Sequence, residues 1–329
     1  MNTLTKKKIS TKRGFEYTYF VSSAAAGKPT VLLQHGFPDE AAMWEGFIVN
    51  HLRPAGYGVI APDLLGYGGT SKPTNPAVYK YADLASDIVE IIDAEKVDKV
   101  ISMGHDWGSI NAQRLYNFHP ERVAGLIIAN VAYTPATKQP FDLDAHIALT
   151  EKTYGYGTYW YWKFFTADDG AKILNQNVDI LFDLLHDPDS WKATFCTKDG
   201  MRNALLNRGE GFNFKRRAYA TEELKEAFVE RMERDGFEAP MCCYKSHAFG
   251  YQIDEPSPGG EVVNVPTLFL GYDKDPPCRP EDIIPAMEQG LLPQFTRVTL
   301  EGGHWGLLEF PDEFGKNVTQ WLESNKFAK

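Results

Sequence analysis

The stretch VISMGHDWGS, residues 100–109, determines how the rest of the chain can be interpreted. An apolar run ends at Met103, the segment GHDWG follows, and a helical pattern begins directly after it. This spacing is typical of a sharp strand-to-helix turn, G-x-S-x-G, which lifts its central side chain above the edge of a sheet. The central residue here is Asp106, so the turn presents a carboxylate where a hydroxyl is usual.

Short apolar runs alternate with helical patterns on both sides of this turn. The runs are rich in β-branched residues, as expected for parallel strands that are buried on both faces. Predicted strands cover 16–21, 30–34, 57–61, 98–103, 122–130, 265–271 and 295–300, and predicted helices cover 40–54, 80–96, 109–118, 280–290 and 311–325. This alternation indicates an α/β fold with a mostly parallel central sheet flanked by helices.

The segment 136–258 interrupts the alternation, because it is aromatic-rich and helical in pattern and holds no convincing buried strand. We therefore expect 1–135 and 259–329 to form one α/β core in two parts. Residues 136–258 are expected to form an inserted helical cap. The stretch EPSPGGE at 255–261 is predicted to link the cap back to the core.

Composition argues against several classes of function. A net charge of −10 argues against a nucleic acid or an anionic membrane surface as partner. No apolar run approaches the roughly eighteen residues of a membrane span. The four cysteines contain no CxxC pair and the basic N-terminal stretch lacks an apolar signal segment, so we expect reduced thiols and a cytoplasmic protein.

No metal-ligand cluster, phosphate loop or dinucleotide fingerprint is evident in the sequence. The glycine-rich segment GYGGTSK at 66–72 lacks the spacing of either kind of loop and is better explained as a turn. We therefore expect no cofactor and no metal.

Polar groups follow four of the predicted strands. The carboxyl ends of parallel strands share one edge of the sheet, where ligands bind, so we expect these groups to lie close together. In chain order they are the segment His35–Pro38 (HGFP), Asp106, Asp275 and His304. The order of nucleophile, acid and histidine is that of a catalytic triad built on such a sheet.

HGFP, GHDWG, the aromatic inserted segment and GGHWG together resemble the epoxide hydrolases of the α/β-hydrolase superfamily, over residues 15–325. The resemblance implies the α/β-hydrolase fold with a cap. It also implies hydrolysis of a small apolar epoxide to a vicinal diol without a cofactor. Members include monomers and homodimers, and both remain open for this chain.

A covalent mechanism follows from these residue types. A carboxylate can displace a leaving group at saturated carbon, so Asp106 would form an ester with the substrate. His304 would activate the water that hydrolyses this ester, and Asp275 would orient the imidazole. Backbone N–H groups of Phe37 and Trp107 would form the oxyanion hole.

Opening an epoxide creates an alkoxide, which a neutral acid such as tyrosine can meet. Resemblance to the cap segments of the family assigns this role to Tyr161, in YWKFFTADDG, and to Tyr244, in MCCYKSH. Three further tyrosines crowd the first segment: Tyr154, Tyr156 and Tyr159. We place the following residues at the substrate pocket: His35, Pro38, Tyr159 and Trp305. His35 is also expected to brace the oxyanion turn.

Simpler interpretations remain beside these. Asp106 could cap a helix, His304 could be a surface histidine, and the tyrosines could pack with only their tips in water. Asp273 competes with Asp275 for the acid position, although counting from the strand end favours Asp275.

Two other functions remain open. A dehalogenase on the same scaffold would use the same triad with N–H donors for a halide in place of an acid. A binding protein would keep the fold without turnover.

Overall fold

An eight-stranded sheet forms the centre of the computed structural model, which describes residues 1, 3–136, 138–253, 257–325 and 327. The strands are β1 (Thr5–Ser10), β2 (Glu16–Ser22), β3 (Thr30–Gln34), β4 (Gly58–Pro62), β5 (Val100–His105), β6 (Val123–Ala129), β7 (Thr267–Tyr272) and β8 (Phe295–Leu300). Their order in the sheet is β1-β2-β4-β3-β5-β6-β7-β8. The pairs β1/β2 and β2/β4 are antiparallel, and all the others are parallel.

Helices cover both faces of this sheet because its central strands are apolar on both faces. Every residue of β5 is buried. Val31 and Leu33 of β3 belong to one buried cluster while Leu32 belongs to the other, as alternation along a strand requires. The core helices are α1 (Glu45–Phe47), α2 (Tyr81–Ala94), α3 (Trp107–Phe118), α12 (Ile284–Glu288), α13 (Gly306–Glu309) and α14 (Pro311–Ser324).

The predicted α/β-hydrolase fold is confirmed, with local differences. The predicted helix at 280–290 is a 3₁₀ segment at Pro280–Ile283 followed by α12. Strand β1 was not predicted, because its sequence TKKKIS is almost wholly exposed and its lysines hide any apolar alternation. Lysines on an edge strand discourage pairing with another chain. The predicted helix at 40–54 is a succession of short helical types, with a 3₁₀ segment at Ala41–Trp44, then α1, then a π segment at Ile48–Leu52.

Eight α-helices, one 3₁₀ helix and no strand occur among the described residues between β6 and β7. The α-helices are α4 (Leu143–Tyr154), α5 (Trp160–Phe165), α6 (Gly170–Asn175), α7 (Val178–Leu185), α8 (Trp191–Thr194), α9 (Gly200–Leu206), α10 (Glu222–Asp235) and α11 (Cys242–Ala248). The exact bounds of the cap stay a prediction. Residues 255 and 256 of the predicted linker lie outside the described residues. No helix in the described ranges is long and apolar enough to cross a membrane.

Candidate active site

The turn between β5 and α3 holds Asp106 in an unusual backbone conformation, with φ 55° and ψ −124°. A positive φ at a non-glycine residue stores strain on the order of 1–3 kcal/mol. The flanking glycines are required by packing. A Cβ on Gly104 would collide with the carbonyl oxygen of Gly108, and one on Gly108 would collide with that of Gln34. The sharp turn predicted from GHDWG therefore exists, and it lifts the Asp106 carboxylate off the sheet edge.

The structure brings the three predicted triad side chains together. His304 Nδ1 lies 2.8 Å from Asp275 Oδ2, and His304 Nε2 lies 3.5 Å from Asp106 Oδ2. All three residues are buried. Asp273 instead is exposed and accepts a hydrogen bond from the Gly302 amide at 3.1 Å. Asp275, not Asp273, is therefore the carboxylate that contacts the imidazole.

Asn130 is a supporting residue that was not predicted. It follows β6 with a φ of 69°, and its side-chain amide donates to Asp275 Oδ2 at 2.7 Å and to the His304 carbonyl at 2.9 Å. His105 Nε2 also lies 2.8 Å from the His304 carbonyl oxygen. The position of Asn130 directly after a buried strand was the available signal in the sequence.

Ser109 lies in the first turn of α3, directly beside the nucleophile turn. Its hydroxyl oxygen lies 2.8 Å from the carbonyl oxygen of Gly104 and 2.7 Å from that of Ala129. The residue is fully buried. Ser109 therefore ties β5 to β6 and adds no polar group to the cavity.

The imidazole of His304 and the carboxylate of Asp106 shift each other's protonation. Burial alone would lower the pKa of His304, but the charge of Asp275 and hydrogen bonds to Asp106 and Asp275 hold it well above its usual value. Burial alone would raise the pKa of Asp106, but the hydrogen bond and charge of His304 and the Phe37 amide lower it. The resting site therefore favours an ionised Asp106 beside a protonated imidazole.

The HGFP turn supplies the first of the two expected oxyanion donors. The Phe37 amide donates to Asp106 Oδ1 at 2.8 Å. Trp107 is the first residue of α3, and the first N–H groups of a helix have no partner within it. Burial lowers the pKa of His35 to about 3, and its Nε2 accepts from the Leu64 amide at 2.9 Å. His35 thus braces the turn as a neutral imidazole.

A cavity of about 330 Å³ opens beside Asp106. Seven of the residues that line it are Phe, Trp or Tyr, as expected for a pocket that takes an apolar group. Of the predicted residues, Asp106, Trp107, Tyr159 and Tyr161 line it, whereas His35, Pro38, Tyr244, Trp305, Asp275 and His304 do not. Cys278, three residues past Asp275, also lines the cavity and was not predicted to do so.

The two predicted cap tyrosines are buried close to one another. Their ring centroids are 6.0 Å apart, and the ring of Tyr244 meets Trp107 edge-on at 4.8 Å. Burial, reinforced by the negative charge of Asp106 among other groups, raises the pKa of both hydroxyls well above the usual value. Among the described residues, no acceptor takes the proton of either hydroxyl. Tyr159 lines the same cavity and stacks on Trp162, with ring centroids 4.8 Å apart.

Two further residues predicted for the pocket, His35 and Trp305, do not line the main cavity. His35 borders a separate cavity of about 30 Å³. Trp305 donates from its indole N–H to Asp39 Oδ2 at 2.9 Å. Both residues can therefore act on the site by fixing the backbone that carries its polar groups.

Potential metal ligands coincide with the triad. The ligand atoms of Asp275, Cys278 and His304 lie within 4.8 Å of one another, the sole grouping of this kind in the described ranges. The hydrogen bond between His304 and Asp275 already accounts for this proximity. The absence of a required metal or cofactor stays a prediction.

A family model described as the alpha/beta hydrolase fold matches residues 29–311, most of the chain. The chain belongs to the α/β-hydrolase family. Pig "Bifunctional epoxide hydrolase 2" is 25% identical over 309 residues, which cover 90% of this chain and 52% of that protein. The chain thus spans about half the length of this relative.

Other relatives of the α/β-hydrolase family match along nearly their whole length. "Epoxide hydrolase srdG" of Neurospora crassa is 28% identical over 303 residues, covering 89% of this chain and 86% of that protein. The crystal structure of epoxide hydrolase A from Mycobacterium thermoresistibile superposes with a TM-score of 0.79 at 25% identity, covering 97% of this chain and 98% of that one. The resemblance stated from the motifs is confirmed by these similarities.

Proposed function

We propose that this chain hydrolyses epoxides to vicinal diols through a covalent ester on Asp106. The observation that carries the proposal is the pairing of an elbow carboxylate with a buried His304–Asp275 couple, beside an aromatic cavity. Relatives named as epoxide hydrolases along most of the chain support the same chemistry. The free thiols of the four cysteines are consistent with a cytoplasmic location, which forms part of the proposal.

The first step opens the ring. An oxygen of the Asp106 carboxylate bonds to one oxirane carbon, and the ring C–O bond breaks with its electron pair on oxygen. A hydroxyl of Tyr161 or Tyr244 gives its proton to this oxygen. Both hydroxyls are protonated at neutral pH because burial raises their pKa. The product is a hydroxyalkyl ester of Asp106.

Ester formation prepares the histidine for the second step. The neutral ester no longer offers the negative charge and the hydrogen bond that help to hold the proton on His304. The imidazolium can then give that proton to the tyrosinate left by ring opening. The neutral imidazole next accepts a proton from the water that attacks the ester carbonyl carbon. The oxyanion meets the amides of Phe37 and Trp107, each such donor being worth about 3–4 kcal/mol of barrier.

Collapse of the tetrahedral intermediate completes the balance of protons. The diol oxygen leaves with the electron pair of the ester bond and takes the proton from the imidazolium of His304. The second proton of the water passes from the Asp106 carboxyl to His304, which restores the ionised carboxylate beside the protonated imidazole. One water is consumed and one diol is released.

The test is to trap the ester. His304→Gln is mixed with styrene oxide and the protein is weighed intact, then digested to locate the adduct. We expect a mass increase equal to one styrene oxide, on the peptide that contains Asp106. Asp106→Ala is the matched control and should show no adduct.

Isotope labelling tests the same mechanism if the ester is too short-lived for mass spectrometry. One wild-type turnover in ¹⁸O-water should leave label in the Asp106 carboxylate, because water attacks the ester carbonyl. An unlabelled Asp106 with labelled diol would overturn the covalent mechanism. No diol from any epoxide would overturn the activity.

A dehalogenase remains the second candidate because of one observation. The buried indole N–H of Trp162 has no hydrogen-bond acceptor among the described residues, and the ring lies 5.4 Å from that of Trp107, which also lines the cavity. Indole N–H groups can stabilise a departing halide. Chloride release from chloroalkanes without diol formation from epoxides would favour this candidate.

A further inference from the structure

The loop between β8 and α13 carries His304 and is in direct contact with the cap. A Cβ atom on Gly303 would come within 2.7 Å of Pro188 Cγ, so the ring of Pro188 lies against the backbone beside His304. The ring of Trp191 lies 5.2 Å from the imidazole of His304, measured between centroids. Pro188 and Trp191 both belong to the cap, between β6 and β7. The base of the proposed mechanism is therefore held partly by the cap.

Glu309 holds the same loop from the core. It is the last residue of α13, and its Oε2 accepts a hydrogen bond from the Gly303 amide at 3.1 Å. Gly303 is buried, and a buried N–H group that loses its acceptor is costly. The carboxylate of Glu309 therefore fixes the backbone that directly precedes His304.

Arg217 of the cap holds the other oxygen of this carboxylate. Its Nε lies 3.1 Å from Glu309 Oε1, and the two side chains are only 22% and 16% exposed, so water and salt screen the pair less than a surface pair. Its Nη1 and Nη2 donate to the two carboxylate oxygens of Asp189 at 3.1 Å each, and its backbone amide donates to the His186 carbonyl at 3.0 Å. Arg217 therefore joins the cap segment 186–189 to the carboxylate that holds the loop.

We propose that Arg217 is a positioning residue for ester hydrolysis, which acts through Glu309 on the loop that carries His304. This inference rests on the proposed covalent mechanism and adds a residue to it. His304 accepts a proton from water only in the second step, whereas ring opening uses the Asp106 carboxylate and a tyrosine. A displaced imidazole should therefore slow hydrolysis of the ester much more than its formation, since the base must lie within hydrogen-bond reach of the water.

The test measures the two steps separately. Arg217→Gln is mixed with styrene oxide, quenched at successive times and weighed intact, so that the rise and the decay of the Asp106 ester are both followed. The ester should decay about 10- to 100-fold more slowly than in the wild type, the effect of a base displaced by about 1 Å, while its formation changes by less than about two-fold. In steady-state diol assays kcat and KM should fall together, because a slower second step leaves more of the enzyme as the ester.

Variants of the partner residue test whether Arg217 acts through Glu309. Glu309→Gln should slow ester decay as Arg217→Gln does, because the neutral amide no longer forms the ion pair. The double variant should be no slower than either single one, since residues that act as a unit are not additive. An additive double variant would overturn the route through Glu309.

Arg217→Lys tests the contribution of the guanidinium. Lysine keeps the charge but loses the planar fork that meets Asp189 and Glu309 together, so ester decay should recover only part of the way to the wild-type rate. This variant also carries the test if Arg217→Gln does not fold, with thermal unfolding as the check. Decay at the wild-type rate in both Arg217 variants would overturn the proposal.

Arg202→Gln is the matched control. Arg202 also forms an ion pair, with Asp169 at 2.6 Å, but both of these residues belong to the cap. This variant should form and hydrolyse the ester at the wild-type rates. Equal slowing of both steps in Arg217→Gln would indicate general disturbance of the fold and would overturn the positioning role, while the covalent mechanism stands.

Failure of the proposed activity has a separate outcome. If the wild type forms no diol from any epoxide, the activity is overturned, and the link to the loop is measured without turnover by amide hydrogen exchange. The Gly303 amide should exchange at least about 10-fold faster in Arg217→Gln than in the wild type or Arg202→Gln, because the carboxylate that accepts its hydrogen bond is no longer held. Equal exchange in all three proteins would overturn the link.

Discussion

The two sides of the candidate site are held in different ways. On the sheet side, Asp106, His304 and Asp275 are fixed by directional polar contacts of 2.7–3.5 Å that reach back to Asn130 and Phe37. On the cap side, Tyr161 and Tyr244 are positioned by aromatic packing. Their hydroxyls lack an acceptor among the described residues.

This difference indicates whether each group acts on another protein group or on the substrate. A group that exchanges protons with another protein group must be oriented by the protein, since proton transfer depends on geometry. A hydroxyl that serves the substrate must keep its proton available. Variants on the two sides should therefore differ in the size of their effect.

Removing the nucleophile should have the largest effect. Asp106→Ala should lower kcat for diol formation by at least about 10⁴-fold, since no other side chain can form the ester. Steady-state diol assays with a terminal epoxide would measure this, with circular dichroism as the check on folding. Retention of more than a tenth of the activity would place the essential group elsewhere.

Next in size is the acid that orients the imidazole. Asp275→Asn should lower kcat by about 10³- to 10⁴-fold, because the amide no longer stabilises the imidazolium and the correct tautomer. Asp273→Asn is the matched control, two residues away in the same loop, and should stay within a few-fold of wild type. If the two variants exchanged these outcomes, the acid would be Asp273.

The cap side should show smaller losses that depend on the hydroxyl alone. Tyr161→Phe and Tyr244→Phe should each lower kcat for ring opening by about 10²-fold, because the rings still pack and a second acid remains. Single-turnover rates of ester formation would measure this step. Tyr159→Phe is the control, since its ring stacks on Trp162. A large loss in Tyr159→Phe alone would move the acid to that residue.

The smallest expected effect is on the pH dependence of stability, at Asp39. Burial raises the pKa of its carboxyl to about 6, against about 3.9 in an unfolded chain. The folded protein thus holds this proton at higher pH than the unfolded chain, so the associated stability is present below pH 4 and lost as pH rises through 6.

Asp39→Asn cannot lose that proton and can still accept from Trp305. Its melting temperature should therefore fall less than that of the wild type between pH 4 and 6. Thermal unfolding across this range would measure the difference, with Asp273→Asn as the exposed control. Identical profiles for wild type and Asp39→Asn would contradict the assignment.

Much of this protein could be predicted from the sequence because the relevant signals are local. A strand that is buried on both faces reads as an apolar run, and its end is marked by the first polar residues. For that reason Asp106, Asp275 and His304 could each be placed at a strand end, and the α/β core could be predicted from the alternation. Strand β1 was not predicted, because its exposed lysines give no pattern of buried apolar residues.

Long-range contacts decided what no local pattern could reveal. The choice of Asp275 over Asp273 depends on which carboxylate meets an imidazole 29 residues later in the chain. The support from Asn130 joins two loops from different parts of the sequence. Sequence by itself determined which chemistry-bearing residues stand at the strand ends, and tertiary structure decided which of them touch, because burial and hydrogen bonding depend on neighbours far apart in the chain.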